Sequence, residues 1–239
     1  MKKFIARFLF IWAVALLLLF VFVITHTVAE RALAYMTAGL FLSWVLLGGG
    51  LMVLFKDRIR DFVHSFSWSR RKKFFLFAIL LALIEEAITT SLTNMAPLFG
   101  ARIGEVYITA STNYLDVVFF HSVIVFVPMF FAWSILLSRY DFTPFSVFLL
   151  FGIDGVISEF FIAGPIVLIA AGFWIYVYGL MVYLPAYAVS PHPEAMKPKI
   201  RHYLLAICLP ILFAIPVAIF VNIVHPYQPT HFIHEVKPS

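Results

Sequence analysis

The chain has 239 residues, of which 63% are hydrophobic and only 12% are charged. Soluble domains are roughly half apolar and about a quarter charged, so this chain has more apolar surface than one soluble fold could bury. Its single cysteine, Cys208, excludes an intramolecular disulfide and a cysteine-based metal site. The net charge of +5 comes from Lys and Arg at the ends of apolar runs, as membrane topology requires, so we expect no nucleic-acid binding.

Seven apolar runs approach the length of about 20 residues that a helix needs to cross a bilayer. They cover residues 4–25, 32–55, 74–98, 117–137, 145–162, 165–189 and 203–224. The first run has a basic start like that of a signal peptide, but its apolar stretch is too long for a cleaved one. The sequence therefore predicts an all-α polytopic transmembrane helix bundle of about seven spans. It forms one domain over residues 1–239, with a short C-terminal tail at 225–239.

The distribution of basic residues predicts the orientation of the spans, because basic connectors stay on the cytoplasmic side. Fourteen of the seventeen Lys and Arg fall on one side of the predicted bundle, and only Arg31, Arg102 and Lys237 fall on the other. We therefore expect a multi-pass protein of the cell membrane with a cytoplasmic N-terminus and an external C-terminus.

The connector from Lys56 to Lys73 contains seven basic and two acidic residues together with Trp68. This composition is typical of a short interfacial helix that lies against anionic lipid headgroups. The same residues are equally well explained as a topology signal alone. The lipid bilayer, with anionic headgroups at this connector, is the partner that the sequence predicts most directly.

Four carboxyl side chains lie inside predicted spans, whereas Lys and Arg are confined to connectors and to the ends of spans. The four are Glu85, Glu86, Asp154 and Glu159. An ionised carboxylate near the bilayer centre costs a few kcal/mol, about 3 on insertion scales. Protonation, a shared proton, a bound cation or a water-filled cavity must therefore offset this cost.

Helix geometry predicts where these groups lie in depth. At about 1.5 Å per residue, Glu85 and Glu86 lie about 17 Å into the third span and Asp154 about 15 Å into the fifth, so these three could share one layer. His121 and Glu159 belong to a layer nearer the external side. One side of the third helix also carries a polar stripe, which should face the bundle and not the lipid. Its members are Glu86, Thr90, Thr93 and Asn94.

The order of these residues resembles the CPBP family of intramembrane proteases, which includes the CAAX-processing enzymes. The resemblance covers roughly residues 81–159: adjacent glutamates in one span, a histidine near the start of the next, and a polar pair four residues apart one span later. It implies a water activated by glutamate and histidine for peptide-bond cleavage inside the membrane. The chain departs from the family pattern at three places. Thr90 stands where the family has arginine, Val117 where it has phenylalanine, and Asp154 with Ser158 where it has histidine and asparagine.

Three functions remain open at this point. The first is a glutamate-dependent intramembrane endopeptidase, with Glu85 or Glu86 as general base, His121 positioning water or stabilising the oxyanion, and Asp154 orienting a partner. The second is a proton- or cation-coupled carrier that uses the same carboxylates. The third is a noncatalytic subunit or scaffold. The macromolecular partner would then be a membrane-embedded peptide substrate or a partner helix. The residues identify no cofactor and predict no metal site.

Overall fold

The computed structural model describes residues 2–190, 194–225 and 232–233. These residues form an all-α bundle with seven helices that are long and apolar enough to cross a membrane, as the sequence predicted. The α-helices are α1 (Lys2–Leu19), α2 (Val28–Leu40), α3 (Gly49–Ser65), α4 (Arg70–Asn94), α5 (Tyr114–Phe120), α6 (Ser122–Arg139), α7 (Pro144–Ala163), α8 (Ala171–Val189) and α9 (Ile200–Val224). A π-helical segment, Phe20–Ile24, extends α1, and another, Phe41–Gly48, joins α2 to α3.

Two spans begin later than the hydropathy pattern predicts. The fourth begins at Ser122 and not at Val117, because the backbone breaks at His121 (φ −139°, ψ −92°) and leaves α5 as a separate short helix. The sixth begins at Ala171. The preceding residues, Pro165–Leu168, form a short 3₁₀ turn after Gly164, whose φ of +79° ends α7.

The second span is a continuous helix of 38 residues, Val28–Ser65. At about 1.5 Å per residue it is nearly twice as long as the hydrocarbon core is thick, so its basic end extends beyond the core. Residues 56–73 form no separate interfacial helix, because most of that segment prolongs this membrane helix, and contact of its basic residues with anionic headgroups stays a prediction. Only residues 66–69 connect it to α4, and the Ser69 hydroxyl accepts a hydrogen bond from the Lys72 amide at the start of α4.

Side-chain contacts bring the basic termini of several helices together, and we call this end of the bundle the basic end. Lys2 at the start of α1 donates a hydrogen bond to Thr143, which caps the start of α7. Near the end of α8, the Tyr187 hydroxyl donates to Asp57 of α3 at 2.6 Å, and Asp57 pairs with Arg60. These contacts fix the alternating directions of neighbouring helices.

The core lies around α8, the most buried of the seven membrane helices, which packs most extensively against α7. Glycines allow this close approach. A Cβ atom at Gly152 of α7 would lie 2.7 Å from the Ile175 carbonyl oxygen, and one at Gly179 of α8 would lie 2.6 Å from that of Phe148. Such distances are shorter than any relaxed contact, so the two backbones can adopt this spacing only with glycine at these positions.

The segment between α4 and α5 folds back into the bundle at the end opposite the basic end. It turns at Gly100 and Gly104, both at positive φ, and a two-residue strand, Val106–Tyr107, pairs antiparallel with Phe232–Ile233. The following residues, 108–110, enter the interior, where Thr109 is 3% exposed. This re-entrant loop closes the polar part of the bundle on that side.

Candidate functional site

The adjacent glutamates of α4 are both buried inside the bundle. Glu85 is 3% exposed and Glu86 is 5% exposed. Because successive helix residues are rotated by about 100°, two neighbours can both face inward only where other elements surround that side of the helix. Here α6 and α8 pack against α4.

Two threonine hydroxyls hold the Glu86 carboxyl group. The Thr89 hydroxyl, one turn further along α4, donates to Glu86 Oε2 at 3.0 Å. The Thr109 hydroxyl, in the re-entrant loop, donates to the same oxygen at 3.1 Å. Hydroxyl donors on one carboxylate oxygen stabilise the ionised form and fix its orientation.

A third carboxyl group, that of Glu159 on α7, reaches the same region. It is 2% exposed, and its Oε1 accepts a hydrogen bond from the Tyr178 hydroxyl of α8. Its second oxygen, Oε2, is buried and makes no hydrogen bond within the described part of the chain. Glu85 lies within electrostatic reach of both Glu86 and Glu159.

These groups line one small cavity of about 30 Å³. His121, at the break between α5 and α6, lines the same cavity. The full lining comprises Leu40, Glu85, Glu86, Thr89, Ile108, Thr109, His121, Ser122, Glu159, Trp174, Val177 and Tyr178. A cavity needs about 10–15 Å³ of such volume to hold a water molecule, as well as two to four polar partners. The cavity is therefore large enough for water and polar enough to retain it.

The electrostatic influence of the cavity extends to the loop that closes it. Tyr114, at the start of α5, donates a hydrogen bond to the Leu83 carbonyl at 3.0 Å. Burial and then the negative charge of Glu86 raise the pKa of this phenol. The Tyr114 hydroxyl therefore stays protonated at physiological pH and keeps its hydrogen bond to α4.

Asp154 lies apart from this cavity and is not among its lining residues. It is fully buried at 0% exposure on α7. The indole of Trp133 on α6 interacts with it electrostatically, yet neither carboxyl oxygen makes a direct hydrogen bond among the described residues. The expected layer of Glu85, Glu86 and Asp154 thus does not form as one cavity, and Glu159 occupies the place beside the glutamate pair.

The residues of the polar stripe on α4 do not all serve the cavity, and two of them anchor the re-entrant loop. Thr93 accepts a hydrogen bond from the Ile108 amide, and the Asn94 side chain donates to the Thr112 carbonyl, so both residues anchor the re-entrant loop. The Thr90 hydroxyl is buried without a hydrogen bond to any described residue and does not line the cavity. The stripe faces the protein interior, and its end fastens the loop.

Sequence reasoning did not identify two of the hydrogen-bond donors in this cavity. Thr109 lies in a connector, where no periodic pattern indicates which side chain points inward. Tyr178 lies in α8, whose 19 residues are all buried or partly buried, so the hydropathy pattern does not show which hydroxyl points into the cavity. Glu159 was recognisable as an intramembrane carboxylate, but its depth placed it in a different layer from the glutamate pair.

Among the residues that the structure describes, no three His, Cys, Asp or Glu side chains lie close enough together to hold a metal ion. Comparisons of the chain with models of protein families, with curated proteins and with solved structures give no match.

Proposed function

We propose that the protein is a glutamate-dependent intramembrane hydrolase, an endopeptidase of the kind that the CPBP resemblance implies. The observation that carries the proposal is the water-sized cavity that Glu85, Glu86, His121 and Glu159 line together within the membrane-spanning bundle. Three carboxyl groups and an imidazole around one water are the groups that acid–base hydrolysis requires.

In this proposal Glu86 is the general base. Its two hydroxyl donors, Thr89 and Thr109, fix the orientation of its carboxyl group in the cavity, where it can accept a proton from the water. The water loses a proton to Glu86 while its oxygen attacks the carbonyl carbon of the substrate. The carbon–nitrogen bond then breaks, the nitrogen takes up the proton, and the products are a carboxylic acid and an amine.

The other polar groups stabilise the intermediate of this reaction. His121 faces the same cavity and donates to the oxyanion that forms on the substrate carbonyl. Glu85 lies within electrostatic reach of both Glu86 and Glu159, so it is a second carboxyl group available for proton transfer beside the base. Tyr178 holds Glu159 in place.

The test is cleavage of membrane-embedded peptides by the purified protein in proteoliposomes, run in ¹⁸O-labelled water. We expect one ¹⁸O atom in each new carboxyl terminus, because water is the nucleophile. Glu86→Gln and His121→Ala should each abolish turnover, and the double variant should be little worse than either single variant, since base and partner act as a unit.

Two results would contradict the proposal. The first is wild-type cleavage by the Glu85→Gln, Glu86→Gln double variant, which would show that neither candidate base is needed. Alternatively, pH-dependent solute uptake that these variants alter, with no cleavage of any peptide or ester, would identify the carrier function instead. A fold check by thermal unfolding in detergent accompanies each variant.

A further inference from the structure

A second, larger cavity lies beside the polar one and is open at the surface of the bundle. Its volume is about 380 Å³, within the range of ligand-binding pockets. It lies between α1, α2, the turn before α8, and α8 itself. Two of its lining residues, Ile166 and Ile169, are 61% and 55% exposed. Because the outer surface of a membrane-spanning bundle faces lipid, we call this cavity the lateral crevice.

The size of the lateral crevice favours a small or single-chain ligand over a bulky one. Its volume of about 380 Å³ is near the lower end of the range of ligand-binding pockets, about 300–1,000 Å³.

The lining also disfavours an extended peptide, whose backbone amides and carbonyls need partners in a dry environment. Apart from Thr37 and the indole of Trp174, every side chain among the described residues that line it is a hydrocarbon. The Thr37 hydroxyl already donates to the Leu33 carbonyl at 2.8 Å. A peptide backbone would leave most of its polar groups unsatisfied here, and an alkyl chain has none to satisfy.

In the part of the chain that the structure describes, three side chains line both the lateral crevice and the polar cavity, namely Leu40, Ile108 and Trp174. They form the wall between the two spaces. Trp174 also packs against the ring of Tyr178, with ring centroids 5.8 Å apart, and Tyr178 in turn holds Glu159. A ligand whose chain fills the crevice therefore places its polar end at this wall, next to the space that the carboxyl groups line.

The charge of the surrounding side chains determines which polar group a ligand can place at this wall. Three glutamates line the polar cavity, and no Lys or Arg is among the described residues that line either space. A phosphate at the wall would meet carboxylates without a cation to balance its charge. We infer that the lateral crevice binds the acyl chain of a neutral lipid, whose uncharged ester or amide carbonyl lies at the wall beside Trp174. This inference goes beyond the proposed endopeptidase, because it concerns a lipid that binds beside the polar cavity and not the peptide that is cleaved.

The experiment uses a monoacylglycerol with a photoreactive diazirine in its acyl chain, added to the full-length protein in proteoliposomes. The comparison probe has the same chain but ends in a phosphate. After irradiation, peptide mapping should locate the neutral probe in residues 13–20 and 166–174. The phosphate probe should label these segments at least about tenfold less, because its charge would lie near carboxyl groups without a balancing cation.

A matched pair of variants tests the crevice itself. Ala170→Phe fills it and should reduce labelling about tenfold. Leu168→Phe, an exposed position in the same turn that does not line the crevice, should leave labelling unchanged. Equal labelling by both probes, or labelling spread over the outer surface of the bundle in the wild-type protein, would overturn the inference, and neither result depends on the folding of a variant.

The experiment measures lipid binding and hydrolysis separately, because photolabelling of the crevice does not require the protein to hydrolyse anything. Labelling at the crevice without release of fatty acid or cleavage of peptide would support the lipid site and contradict the hydrolase. Peptide cleavage without crevice labelling would leave the hydrolase standing and overturn the lipid site.

Discussion

Thr109 donates a hydrogen bond of 3.1 Å to Glu86 across 23 residues of sequence. The donor lies in the re-entrant loop between α4 and α5, and the acceptor lies about 12 Å below the end of α4 at 1.5 Å per residue. This contact joins the loop that closes the cavity to the carboxyl group that we propose as the base. The position of the loop and the orientation of Glu86 are therefore coupled.

Loss of either hydroxyl donor should impair the proposed reaction. Thr89→Val and Thr109→Val keep the side-chain shape and remove one hydrogen bond each to Glu86 Oε2. Hydrogen bonds to charged groups contribute about 1.5–3 kcal/mol, so we expect kcat to fall roughly 10- to 100-fold. The measurement is hydrolysis in proteoliposomes at saturating substrate.

The neighbouring threonine provides the control for this experiment. Thr90 is also buried on α4, but its hydroxyl makes no hydrogen bond to a described residue and does not line the cavity. Thr90→Val should therefore keep full activity and unfold at the same or a slightly higher temperature. An equal loss of activity in all three variants would mean that the threonines act through general packing and not through Glu86.

The close packing of α7 on α8 should be sensitive to one added methyl group. At Gly155, a Cβ atom would overlap the ring of Tyr178, which holds Glu159. Gly155→Ala should lower the free energy of unfolding by about 1–3 kcal/mol, the usual cost of overpacking, and should lower activity as well. Thermal unfolding in detergent measures the first effect.

Gly50 on α3 is the matched control, since a Cβ there would meet no heavy atom within 4 Å. Gly50→Ala should leave stability unchanged or raise it by up to about 1 kcal/mol, because alanine is the better helix former. If both alanine variants behaved alike, the α7–α8 contact would not have the close spacing described above.

Asp154 should be present as a neutral carboxylic acid. It is fully buried, and neither of its oxygens has a hydrogen-bond partner among the described residues, so an ionised group there would cost several kcal/mol. Infrared spectra should show a protonated carboxyl band that Asp154→Asn removes. Asp61→Asn, at a side chain that is 74% exposed, should leave this band intact. A band unchanged in Asp154→Asn would refute the assignment.

The orientation of the bundle is a prediction from the basic residues alone. Fourteen of the seventeen Lys and Arg belong to one side, so the N-terminus should be cytoplasmic and a reporter fused after Ser239 should be external. Alkaline phosphatase and a fluorescent protein, which are active on opposite sides of the membrane, provide the paired measurement. Cytoplasmic activity of the C-terminal fusion would mean that the predicted orientation is wrong or that the number of spans is not seven.

The sequence alone determined the class of the protein and the number of its spans. Crossing a bilayer depends on the length and hydropathy of each segment by itself, and both properties can be counted along the chain. The burial of Glu85 and Glu86 followed from the same reasoning. Span ends were less predictable, because the break at His121 and the turn after Gly164 depend on backbone angles that hydropathy does not record.

Only the tertiary structure decided which carboxyl group meets the glutamate pair. Asp154 and Glu159 are five residues apart, which at 3.6 residues per turn separates them by about 140° around α7, so they cannot both face the same neighbour. The sequence contains this difference in direction, but the rotation and depth of α7 against α4 depend on packing, above all at Gly152 and Gly155. Thr109 reaches Glu86 because a connector folds back into the bundle, and a connector has no period from which that contact could be read.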